Sequence, residues 1–145
     1  MARFLLALLL LLPTLLPVAV RAQDAAIADL VVANSSRQLL LYLAVKNAFS
    51  PEMAEAVKNG IPATFTFSVE LYKVRRGLPD TRIAGFTFDH VLSYDSLKDE
   101  YSVVLGEHAG RRLRVSDLAE AKRLMVEVNE AAVCDLELLE NDADY

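Results

Sequence analysis

The sequence predicts a mainly β fold, an antiparallel β-sandwich of about seven strands with two short helices. Apolar residues alternate with polar ones in several short segments, and turn-forming residues separate these segments. This spacing is typical of sandwiches. A single curved antiparallel sheet with both helices on one face is the alternative, because residues 63–74 and 82–94 are long enough to build one.

The first two predicted strands form a hairpin. Residues 27–33 are apolar, and residues 34–37, Asn-Ser-Ser-Arg, supply a turn. The second strand spans residues 38–46, and one of its faces carries Leu39, Leu41, Leu43 and Val45.

Two long strands follow, and their aromatic and β-branched residues agree with the period of a half-buried strand. The inward face of the first carries Phe65, Phe67, Val69 and Leu71. The inward face of the second carries Ala84, Phe86, Phe88, His90 and Leu92.

Three shorter strands complete the series. The first contains Tyr101, Val103 and Leu105, and the second contains Leu113 and Val115. We expect the last strand of the chain to contain Cys134, Leu136 and Leu138.

Each of the two helices has a recognisable start. Ser50 is a good N-cap before Pro51, and Asn59-Gly60 supplies a left-handed stop. Met53, Ala56 and Val57 form an apolar face, which we expect to cap an open end of the core. The second helix is predicted over residues 117–128, where Asp117 and Glu120 have capping-box spacing.

The N-terminus has the composition of a signal peptide. Arg3 precedes the apolar run of residues 4–20, and Ala22 offers the small residue that signal peptidase requires. We expect cleavage after Ala22 and a periplasmic location. An uncleaved inner-membrane anchor is the alternative, which Pro13 and Pro17 disfavour because each removes a backbone donor that lipid cannot replace.

The mature chain is predicted to be one acidic domain. We assign residues 1–22 to the signal peptide, 23–140 to a single globular domain and 141–145 to a flexible acidic tail. The leader holds two of the 15 basic residues and none of the 20 acidic ones, which leaves a net charge of about −7. This charge disfavours nucleic acid as a partner. We also expect no stable membrane insertion after cleavage.

The cysteine content limits covalent bracing of the fold. Cys134 is the only cysteine, so no intrachain disulfide can form. We expect a buried thiol that packs as a small apolar residue. A disulfide to another molecule is the alternative.

No set of residues has the spacing of a known catalytic or metal site. Asp89-His90 and Glu107-His108 each pair an acid with a histidine, but neighbours on a strand point to opposite faces. We expect His90, in phase with Phe88, to be a satisfied core histidine and His108 to be solvated. Zinc-site spacing and a G-x-S-x-G motif are both absent from the sequence. We therefore expect no enzymatic activity, no catalytic residue, no cofactor and no metal.

Four cations gather at one predicted hairpin tip. They flank residues 77–80, Gly-Leu-Pro-Asp, and we call them the basic tip: Lys73, Arg75, Arg76 and Arg82. Such a cluster is either a solvated surface or a docking patch for an acidic protein segment or lipid headgroups. These four residues are our candidate partner contacts.

Three segments resemble domain of unknown function 4390, a family of exported bacterial proteins. They read "NAFSPEMAEAVKNGIPATFTFSVELYKVRR", "IAGFTFDHVLSYDSLKDEYSV" and "DLAEAKRLMVEVNEAAV". The resemblance covers nearly all of the mature chain. It implies a bacterial envelope location and a link to envelope signalling, and it implies no activity, cofactor or catalytic residue.

These observations favour a non-enzymatic periplasmic binding or protein-interaction module. Exposed strand edges can pair with a strand of a partner, here expected to be an envelope protein, and a cationic tip can orient that pairing. One alternative is a small-ligand carrier or enzyme that uses a cavity between sheet and helices. The other is a structural component of the envelope.

Overall fold

The structure, a computed structural model that describes residues 24–145, contains seven strands and two α-helices within that range. The predicted signal peptide lies outside the described residues. The strands are β1 Ala26–Asn34, β2 Gln38–Lys46, β3 Ala63–Lys73, β4 Thr81–Asp95, β5 Glu100–Leu105, β6 Arg111–Val115 and β7 Glu127–Asp135. The helices are α1 Pro51–Lys58 and α2 Leu118–Val126, and Gly106–His108 and Leu136–Leu138 form short 3-10 turns.

The strands form two antiparallel sheets, one in the order β1-β2-β7 and the other in the order β3-β4-β5-β6. The sheets pack through Leu41 and Leu43 of β2, Val128 and Ala131 of β7, and Phe88 of β4. The mainly β class and the sandwich of seven strands are confirmed. The strands form two sheets rather than the single curved sheet of the alternative.

The predicted inward face of β4 is also confirmed. Phe88, His90 and Leu92 are buried, and the residues between them on β4 face away from the core. Leu92 packs with the helices, in a cluster with Val57 of α1 and Met125 of α2. Phe88 packs with the three-stranded sheet. One face of the large sheet is therefore covered by the small sheet at one end and by helices at the other, with His90 at the boundary.

Helix α1 begins and ends at the predicted residues. The Ser50 hydroxyl accepts a hydrogen bond from the Met53 N–H at 3.2 Å, and Gly60 takes the left-handed conformation with φ 85°. Val57 is buried in the core, as its position on the apolar face predicts. Within residues 24–145, neither helix combines the length and apolar composition that a membrane crossing requires.

Helix α2 and the last strand differ from the prediction. Asp117 caps the helix by accepting from the Glu120 N–H at 3.1 Å, as predicted, but the helix ends at Val126 and β7 begins at the next residue. The last strand therefore lies earlier than we predicted. Leu136 and Leu138, assigned to that strand from their alternation with Cys134, belong instead to a 3-10 turn.

Two irregularities in the pairing of β2 with β7 explain this error. The register shifts between Leu39 and Leu40 and again between Leu41 and Leu43, so β7 carries extra residues. Its buried residues are consequently three apart, at Val128, Ala131 and Cys134. That spacing resembles a helix and hides the strand from a search for alternation.

Candidate functional site

One side of the sandwich is open. Strand β1 is the edge of the small sheet and β3 is the edge of the large sheet. A groove of about 430 Å³ lies between them. Its apolar lining is contributed by Ile27 of β1, Leu43 and Val45 of β2, and Phe65, Phe67 and Val69 of β3.

Strand β1 exposes an unusual amount of apolar surface for an edge strand. Ile27 is 67% exposed and Leu30 is 60% exposed, and Val31 and Val32 are each more than half exposed. Its one charged side chain is Asp29, which has φ 53° at a shift in the register with β2. An apolar edge with little charge is the kind of edge that pairs readily with another strand.

The inward residues of β3 are only half covered. Phe65, Phe67 and Val69 have the predicted phase, yet each stays partly exposed at the groove. Phe67 stacks on Phe88 of β4 with ring centroids 5.2 Å apart, so its position is held from one side. The exposed part of each side chain can contact an added apolar chain.

The basic tip lies at the hairpin between β3 and β4, and two of its four cations are paired. Lys73 forms an ion pair with Glu140, and the Arg82 guanidinium lies 3.2 Å from the Glu70 carboxylate. Glu140 belongs to the C-terminal segment, residues 139–145, which reaches the tip from a distant part of the sequence.

The other two cations differ from each other. Arg75 is held within the turn by two hydrogen bonds. Its guanidinium Nε donates to the Pro79 carbonyl at 3.0 Å, and its backbone N–H donates to the Asp80 carboxylate at 3.1 Å. Arg76 is exposed and makes no ion pair within residues 24–145. The assignment of all four residues as partner contacts stays a prediction.

The C-terminal segment contacts the tip through its backbone as well. The Val74 N–H donates to the Asp144 carbonyl at 2.9 Å, and the Glu140 N–H donates to the Tyr145 hydroxyl at 2.7 Å. The first bond places the predicted acidic tail against the hairpin, and the second closes the turn within the segment itself.

A buried histidine–glutamate pair lies at the boundary between the sheet-covered and helix-covered parts of the core. His90 Nε2 is 2.7 Å from Glu107 Oε2, and His90 Nδ1 is 3.1 Å from the Met125 carbonyl oxygen. The side chains of His90 and Glu107 are 0% and 1% exposed. The imidazole thus connects β4 to the last turn of α2 and to the 3-10 turn after β5.

The partners of His90 determine where its protons lie. The Met125 carbonyl can only accept, so Nδ1 must carry a hydrogen. The short contact between Nε2 and Glu107 then needs one further proton, on either the imidazole or the carboxyl group. Met125 also lies at the carbonyl end of α2, where the helix dipole favours a cation.

The contact with His90 lowers the pKa of the Glu107 carboxyl group. Burial acts to raise the pKa of the carboxyl group, but the hydrogen bond and the charge of His90 outweigh it. Together with the backbone N–H of Glu107 and with His108, they hold the pKa below its ordinary value of 4.5. The enclosed pair is therefore a link between elements of the core, with no exposed atom to offer a substrate.

This pair predicts a specific dependence of stability on pH. In the unfolded chain Glu107 takes up a proton near pH 4.5, whereas in the folded chain it stays ionised to a lower pH. The contribution of Glu107 to the free energy of unfolding is therefore complete above pH 4.5 and is lost as the pH falls through the lowered pKa. Chemical denaturation between about pH 2 and about pH 6 tests this for the wild type and Glu107→Gln. A difference between the two proteins that stayed constant into acid would contradict the prediction.

The other side chains singled out in the sequence are those of His108 and Cys134. His108 is 29% exposed and its Nε2 lies 4.0 Å from Glu107 Oε1, so it is half-buried rather than fully solvated. Cys134 is buried, as predicted, and burial together with the charge of Asp135 raises the pKa of its thiol. In the part of the chain that the structure describes, no three His, Cys, Asp or Glu residues are grouped as a metal site needs.

Comparison with known proteins identifies a family but no activity. The model of a family described as Domain of unknown function (DUF4390) matches residues 22–145. No curated protein and no solved structure matches the chain.

Proposed function

This chain belongs to the DUF4390 family, and we propose that it is a non-enzymatic protein-interaction module of the bacterial periplasm. Its partner is an envelope protein that adds an extended apolar segment to the open side of the sandwich. The exposed apolar edge of β1 beside a 430 Å³ groove is the observation that carries this proposal.

Two kinds of recognition would be combined at this side. Backbone groups along a strand edge bond an added strand whatever its sequence, and apolar pockets select its alternate side chains. Here β1 supplies the edge, and the half-covered Phe65, Phe67 and Val69 supply the apolar surface. A bound segment would place apolar residues two apart in the groove.

The shape of the opening favours a single free segment over a second copy of this chain. The groove is bordered by two edge strands, β1 and β3. A free extended segment has two unpaired edges and can approach both strands. The β1 strand of a second copy is already paired with its own β2, so it has one edge to offer.

Site-specific photo-crosslinking in cells tests the proposal. A photoreactive residue at position 31, on β1, is expected to trap one discrete partner, whereas the same residue at position 97 is expected to trap none. Leu97 is the matched control because it is also an exposed apolar residue, and it lies in the turn after β4, away from the groove. Mass spectrometry then identifies the trapped segment.

A peptide with the trapped sequence is then measured against purified variants. We expect Val31→Lys to weaken binding by about tenfold or more, because a charge on the edge disfavours strand addition. Leu97→Lys adds the same charge and should leave the affinity unchanged. Equal weakening by both variants, an adduct with a second copy of the chain, or no adduct at position 31 would each overturn the proposal.

The groove also favours a second candidate, the binding of an apolar small molecule. Its lining is mostly apolar, with Thr64, Thr66 and Ser68 adding hydroxyl groups. This cavity lies between the two sheets, not between sheet and helices. A rise in melting temperature with long-chain fatty acids that Val31→Lys leaves intact would favour this candidate, since Val31 does not line the groove.

A further inference from the structure

We propose that the C-terminal segment is an internal occupant of the basic tip, and that the tip binds an acidic protein segment that displaces it. This surface is at the β3–β4 hairpin and is separate from the groove, so the inference does not depend on the proposed function.

The segment combines one backbone contact with one charge contact. The Val74 N–H, directly after β3, donates to the Asp144 carbonyl at 2.9 Å. Lys73, one residue earlier, pairs with the Glu140 carboxylate. An acidic chain is therefore already bound at the tip, as the cationic cluster predicts for a partner.

The tip is arranged to receive more than the C-terminal segment uses. The contacts of Arg75 with Pro79 and Asp80 hold the turn in one conformation. Arg76 keeps its charge free of any ion pair within residues 24–145. Val74 and Leu78 are 48% and 63% exposed, which adds apolar contact area beside the cations.

The bound segment is well suited to displacement. Its ion pair is exposed on the Glu140 side, where the side chain is 70% exposed, and exposed ion pairs are weak. A partner that reproduced these contacts and also engaged Arg76 and Leu78 would compete with it. A partner cannot bind while the C-terminal segment occupies the tip. The apparent affinity of the tip for the partner is therefore reduced by the fraction of time that the C-terminal segment is bound.

Fluorescence anisotropy with a labelled peptide of residues 139–145, Leu-Glu-Asn-Asp-Ala-Asp-Tyr, tests this on the full mature chain. Glu140→Lys removes the internal ion pair, and we expect the peptide to bind this variant about three- to fivefold more tightly than the wild type. Addition of Lys73→Ala to Glu140→Lys should abolish the gain, because it removes the cation that pairs with the glutamate of the segment. Arg112→Ala, a cation on β6 removed in the same way, is the matched control and should leave the gain intact.

Amide hydrogen exchange at Val74 gives a second measurement that needs no added peptide. We expect faster exchange at Val74 in Glu140→Lys than in the wild type, with no change at the strand amides of β4. Equal peptide binding by the wild type and Glu140→Lys, or no binding by either, would overturn the inference. So would a gain that survives Lys73→Ala, or binding of Glu140→Lys to anionic lipid vesicles but not to the peptide.

Discussion

Replacing Glu107 with leucine is expected to lower the free energy of unfolding by about 3–5 kcal/mol. The substitution leaves His90 with a buried nitrogen and no partner for it, because both side chains of the pair are almost completely enclosed. His90→Leu should have an effect of similar size, since it leaves the Glu107 carboxylate buried and unpaired. Urea denaturation at pH 7 measures both variants.

The double variant His90→Leu/Glu107→Leu is the control that separates a paired role from a purely steric one. A buried ion pair replaced by apolar residues often has little net effect on stability, so we expect the double variant to recover most of the loss. If each single variant lost little free energy of unfolding and the double variant lost the sum of the two, the loss would not come from breaking the pair. The same double variant should also lose the acid dependence assigned to Glu107.

The His90–Glu107 pair shows which features of a buried site can be predicted from the sequence. Alternation with Phe88 and Leu92 correctly predicted that His90 faces the core. The comparison of each histidine with its neighbour in sequence missed Glu107, because the partner comes from the 3-10 turn that follows the next strand. A signal was present: the turn between Asp95 and Glu100 sets a register that pairs His90 with Leu105, and Glu107 follows two residues later.

The features that the sequence did not predict depend on contacts between distant elements. The bulges in β7 arise from its pairing with β2, and they replace alternation with a spacing of three. The open side depends on how the two sheets pack, which leaves β1 and β3 as neighbouring edges. The ion pair of Glu140 with Lys73 joins residues far apart in the sequence, and it forms only after the β3–β4 hairpin has formed.

Gly106→Ala is expected to lower the free energy of unfolding by about 2–3 kcal/mol. An added Cβ would lie 2.6 Å from the carbonyl oxygen and 2.9 Å from the nitrogen of Asp89. Both atoms belong to the backbone of β4, so neither can move away without a shift of the strand. Gly106 also precedes Glu107 and Asp89 precedes His90, so the same shift would separate the buried pair.

Gly85→Ala is the matched control, because it makes the same chemical change on β4 and meets a different obstacle. Its added Cβ would lie 2.1 Å from a guanidinium nitrogen of Arg82, a flexible and half-exposed side chain that can move into solvent. The ion pair that Arg82 would lose with Glu70 is exposed and weak, so we expect a change within about 0.5 kcal/mol. Urea denaturation of both variants makes the comparison. Equal losses would mean that close backbone approach at Gly106 is not what holds the 3-10 turn, and with it Glu107, against β4.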